Sequence, residues 1–75
     1  MIIKKICDGR FTYGLDRHQN EWSFIRASGN REQWFPLDLD KRHGRLFLEP
    51  EDQREVGIRG LKALEKMARS VLTRT

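Results

Sequence analysis

PEDQREVGIRGLKALEKMARSVLTRT, residues 50–75, is the stretch on which the fold turns. At about 100° per residue, Arg59, Lys62, Lys66 and Arg69 fall within an arc of roughly 80°. Leu61, Leu64, Ala68, Val71 and Leu72 fall within about 100° on the opposite side. The spacing predicts an amphipathic helix over about residues 50–73, with one face sealing a core through Leu61, Leu64, Ala68 and Leu72 and the other turned to solvent. Pro50 suits the first helical position, where its missing N–H is no loss, and Glu51 and Asp52 sit where the helix dipole favours anions. Glu55–Arg59 and Glu65–Arg69 are i,i+4 pairs in the favourable order. Gly57 and Gly60 are the weak point, each costing about 1 kcal/mol against alanine in a helix interior. A continuous helix is expected, with Ile58 pointing away from the apolar face. The competing picture is a kink, a register change or a late helix start at these glycines.

Working backwards, residues 2–49 have period-2 texture and turn signals. Ile2 to Cys7 is β-branched and apolar, and Asp8-Gly9 is a hairpin turn pair. Phe11, Tyr13 and Leu15 then share one face, with Arg10 and Thr12 on the other. The polar run from Asp16 to Asn20 reads as a loop. Glu21 to Ala27 places Trp22 and Phe24 opposite Ile25, and Ser28-Gly29-Asn30 marks the next reversal. Phe35, Leu37 and Leu39 align opposite Trp34 and Asp38, and Pro36 assigns that segment to an edge or a bulge. After the turn Lys41-Arg42-His43-Gly44, Leu46 and Leu48 oppose Phe47. The expected fold is α+β: one domain over residues 1–75, with an antiparallel meander of about four strands packed on one C-terminal amphipathic helix.

Composition excludes several classes. No run approaches the roughly 20 apolar residues of a membrane span. The start, Met1-Ile2-Ile3-Lys4-Lys5-Ile6, is too soon interrupted by charge to read as a signal peptide. A single cysteine, Cys7, forbids an internal disulfide and makes a cytoplasmic location the default; it is expected in the core. Metal binding lacks ligands, because His18 and His43 lie in separate polar segments without paired spacing. Asp38 and Asp40 share a strand face but read as solvated turn acids. No nucleophile–base pair or phosphate loop is present, so the chain is expected to be neither an enzyme nor a cofactor protein.

The charge is uneven. Residues 1–40 carry six Lys/Arg and six Asp/Glu, whereas residues 41–75 carry nine and five, which accounts for the whole formal +4. An excess confined to one segment points to an anionic partner. All seven aromatic residues precede the helix, and strand alternation forbids all of them from facing it. One or more of Tyr13, Trp22, Trp34 and Phe47 is expected on the second face or its rim, among Arg10, Arg26, Arg31 and Arg45. Two readings follow. One is a small basic nucleic-acid-binding accessory or regulatory protein. It would hold DNA or RNA phosphates with Arg59, Lys62, Lys66, Arg69 and Arg45 and stack bases on Trp22 or Trp34. The other is a small partner-binding or inhibitory factor, of the kind phages and mobile elements encode, acting through an exposed aromatic face or edge or as a homodimer.

Gly57-Ile58-Arg59-Gly60 is similar to the G-x-x-G loop of KH domains, which clamps nucleotide backbones. No helix signal precedes it, and the next apolar positions fall at Leu61 and Leu64, so helix packing or helix start explains these glycines better. The meander-then-helix order resembles, in architecture alone, small single-strand-binding coactivator domains.

Overall fold

Tight turns ten residues apart build the sheet. In a computed structural model describing residues 1–72, the backbone turns with positive φ at Gly9, Gln19 and Gly29. These turns join β1 (Ile2–Asp8), β2 (Phe11–His18), β3 (Glu21–Ser28) and β4 (Arg31–Asp40). Each loop is two residues long with positive φ at its first residue only, as in a type II′ hairpin turn. A short β5 (Arg45–Phe47) completes a five-stranded antiparallel meander in the order β1-β2-β3-β4-β5. The helix α1 (Pro50–Leu72) then lies across one face, and the chain is α+β as its pattern predicts. The expected helix end near residue 73 lies outside the described residues.

Two strand boundaries depart from expectation. The first turn is Gly9-Arg10 in place of Asp8-Gly9, since Asp8 pairs with Phe11. Three of the five residues of the expected loop over 16–20 are strand: β2 runs to His18, and only Gln19-Asn20 turns. Cross-strand pairing outweighed the polar composition there, because Asp16, Arg17 and His18 register with Ser23, Trp22 and Glu21. Pro36 pairs opposite Ser23, but β5 reaches only residues 38–40 of β4. At Pro36, β4 is therefore an edge strand, where a missing N–H is tolerated.

The helix-side face carries Tyr13, Leu15, Trp22, Phe24, Phe35 and Leu37, all buried. Tyr13 and Phe24 stack at 5.6 Å between centroids, and Phe24 meets Phe35 at 6.4 Å, so aromatic rings tie three strands together. Alternation sends Cys7 to the opposite face on edge strand β1, so it is exposed and not in the core; its Sγ lies 3.7 Å from the Thr12 hydroxyl. Ile25 also faces away from the helix but is buried, because Gly14 beside it has no side chain to hold it off.

The helix is broken, and the continuous form expected from the sequence is corrected. Gly57 has φ 72° and ψ −175°, a backbone region open in practice to glycine alone. Residues 50–56 form a first helical segment and residues 58–72 a second. Gly60 is helical and permits close packing: a Cβ there would lie 2.6 Å from Val56 Cβ. The buried helical residues are Val56, Gly60, Ala63, Leu64, Met67 and Ala68, with Leu61 and Leu72 only partly covered. The buried face is thus turned toward Met67, by about 80° from the expected stripe at 100° per residue.

Arg26 latches the break. Its Nη1 donates to the Glu55 carbonyl at 2.9 Å, and its Nη2 pairs with the Glu55 carboxylate at 3.0 Å. Its Nε donates to Gln33 Oε1 at 3.0 Å, and its guanidinium lies 5.1 Å from the Phe11 ring centre. Glu55 is at the end of the first segment, where helical carbonyls lack intrahelical donors. Arg26 side chain is only 12% exposed. Arg26→Ala is expected to cost about 1–3 kcal/mol through the lost hydrogen bonds and the lost packing on Phe11, the half-exposed Glu55 carboxylate being solvated in its place. Arg26→Lys should recover less than half, because one ammonium nitrogen cannot reach partners that Nε, Nη1 and Nη2 reach separately, and has no planar face to lay on Phe11. Urea unfolding of the three proteins measures both differences.

Candidate nucleic-acid interface

The second helical segment presents the cationic row as its outer surface. Arg59, Lys62, Lys66 and Arg69 are all exposed, and Ile58 is exposed as expected. From residue 59 to 69 the helix rises about 15 Å, a length that spans two to three backbone phosphates. Of the two expected i,i+4 pairs, only Arg69–Glu65 forms, at 3.4 Å. Glu55–Arg59 does not form: the break at Gly57 spoils the helical spacing, and Glu55 is held by Arg26. Glu55 is therefore committed to Arg26, and Glu65 to Arg69 at the end of the row. Arg59, Lys62 and Lys66 make no ion pair among the described residues.

The aromatic half of the expected site is not assembled with this row. Trp22 is 6% exposed, its ring buried against the core with Arg17 stacked 5.3 Å from its centre, so no base can lie flat on it. Trp34 is 51% exposed and donates from Nε1 to Glu32 at 3.1 Å, but it occupies the sheet face away from the helix. A ligand lying on the helix row does not reach it. Arg45, on β5, lines a cleft of about 520 Å³ together with Arg69, Leu46, Leu61 and Leu64, and so extends the row at its C-terminal end.

At the other end, Arg10 and Arg31 line a groove of about 700 Å³, and Arg59 Nη1 approaches within 3.2 Å of where a Gly9 side chain would begin. The signal for this grouping was in the sequence. Alternate turns of a meander lie at the same sheet end, so the turns at residues 9–10 and 29–30 bring Arg10 and Arg31 together.

The remaining polar candidates have structural roles. Asp40 accepts from the backbone N–H of Arg42 at 3.1 Å and meets His43 Nδ1 at 2.7 Å, stabilising the β4–β5 turn. The hydrogen bond from His43 holds its carboxyl below the usual carboxylate range. Asp16, the one buried charged side chain among the described residues, pairs with the α-amino group of Met1 at 2.8 Å. Among the described residues no group of three His, Cys, Asp or Glu side chains is placed to hold a metal ion, and no helix is long and apolar enough to cross a membrane. The chain matches no protein family, no curated protein and no solved structure.

Proposed function

We propose that this protein binds nucleic acid through the phosphates, with Arg59, Lys62 and Lys66 as the central contacts and Arg69 and Arg45 at one end. The observation that carries this reading is the uncompensated charge of the row. Three exposed cations share one helix side, while Glu55 and Glu65 are engaged by Arg26 and Arg69. Base stacking on Trp22 is not part of the proposal, and Trp34 is left to a separate surface. Contacts of this kind position a strand without reading its sequence.

The test is binding of labelled single- and double-stranded DNA and RNA at 50 and 200 mM salt. Three phosphate contacts give a log–log slope of about −2 for single strands and −3 for duplex, which is roughly 16- to 64-fold weaker binding over that interval. Affinity that ignores salt rules the reading out. Duplex preference marks the helix row as the main contact.

A second reading draws on the opposite face. Trp34 and Phe47, 51% and 43% exposed, stand on the sheet face that no element covers. Exposed aromatic residues of this kind anchor protein partners or a second copy. Sedimentation over a range of concentrations separates the two readings: a mass that climbs with concentration, without response to oligonucleotides, favours this one.

A further inference from the structure

We infer that the groove at the 9–10 and 29–30 turns is a pocket for a phosphomonoester, the terminal phosphate of a nucleic-acid strand. This inference rests on the proposed nucleic-acid reading and adds which part of the strand is recognised. The groove opens on the helix side of the sheet. Its floor is Phe11, Arg26 and Ser28, and its walls carry Arg10, Asn30 and Arg31. It lies where α1 breaks, since Arg26 in its floor is the side chain that holds Glu55 just before Gly57.

The charges in and beside the groove are of two kinds. Arg26 is spent on Glu55 and Gln33. The side chains of Arg10, Arg31 and Arg59 make no hydrogen bond or ion pair among the described residues. The groove's one carboxylate, Glu32, alternates to the other sheet face from Arg31 and Gln33 and accepts the Trp34 indole N–H. Guanidiniums gathered at one sheet end repel one another until an anion enters. Planar forks from Arg10 and Arg31 match the oxygens of a phosphate in pairs, and the Ser28 hydroxyl and Asn30 amide add neutral donors.

A terminal phosphate suits this place better than an internal one. It carries nearly two negative charges at neutral pH and three free oxygens, whereas a phosphodiester carries one charge and two. The pocket is concave, and Arg59 stands between it and Lys62, so a strand anchored by its end would continue along the helix row.

The experiment compares one oligonucleotide sequence with a 5′-phosphate, with a 3′-phosphate and with hydroxyls at both ends, by fluorescence anisotropy at constant salt. The wild-type protein is expected to bind one phosphorylated form about tenfold more tightly than the hydroxyl form, a discrimination of the size charge-assisted hydrogen bonds supply. In Arg10→Gln/Arg31→Gln the preference should fall below twofold. Both positions are exposed, and the melting temperature of the variant verifies its fold. Lys62→Ala should weaken all three oligonucleotides alike and keep the ratio. Equal binding of all three by the wild type overturns the pocket while leaving the helix reading intact. Absence of binding to any of them removes the helix reading and this inference together.

Discussion

Met67→Asp is expected to leave the chain without a cooperative unfolding transition at room temperature. Met67 is 1% exposed and sits at the centre of the buried helix face. Truncating such a side chain costs about 2–5 kcal/mol before any charge is counted, and an unpaired carboxylate in the core adds several more. A chain of this length has about 4–11 kcal/mol in total. Leu64→Asp is expected to be severe but milder, because Leu64 is 4% exposed and borders the cleft beside β5, through which its carboxylate can reach water. Leu61→Asp should be milder still, since Leu61 is half-buried. Thermal and urea melts that rank the losses Met67, Leu64, Leu61 confirm the helix rotation. The stripe read from periodicity alone ranks Leu61 with Leu64 and gives Met67 no part. A Met67→Asp protein that melts near the parent temperature refutes the packing.

That contrast marks where the sequence was readable. Face assignment was legible in β2 to β5, because a period of two allows no intermediate answer: Trp22 with Phe24, Phe35 with Leu37, and Trp34 apart from them all fell as alternation requires, whereas on β1 Cys7, expected in the core, is exposed. The helix was legible as an element and misread in phase. A stripe of leucines defines an apolar arc, but the buried face also includes small residues. Gly60 leaves the space that Val56 of the first segment fills, Ala63 is buried on the same face, and a pattern built on large side chains overlooks both. The break at Gly57 was visible only as two glycines of low helix propensity. The side chain that holds the chain at the break, Arg26, lies 29 residues before Glu55, a tertiary contact with no local signature. The same contact removed Glu55 from its expected local partner and left Arg59 uncompensated. Composition therefore located the basic segment, and the fold decided which of its charges stay unpaired.

Reversing two of those charges gives the largest functional effect expected. Lys62→Glu with Lys66→Glu lowers the formal net charge from +4 to 0, two units at each position. Affinity for any nucleic acid at 50 mM salt should drop at least about 100-fold, and the salt slope should shrink by about two, as two phosphate contacts become repulsions. Stability should change by no more than about 0.5 kcal/mol, since both side chains are exposed. The two positions already form a like-charged i,i+4 pair, and the reversal exchanges one mutual repulsion for another of similar size. Net charge alone would weaken polyanion binding, so the comparison that decides is Lys4→Glu with Lys5→Glu. It removes the same four charges from exposed positions on β1. If the helix governs binding, the β1 variant loses less than about tenfold, the share expected of long-range screened charge. Equal losses in the two variants would mean that binding follows the total charge of the molecule and that the helix row has no special part in it.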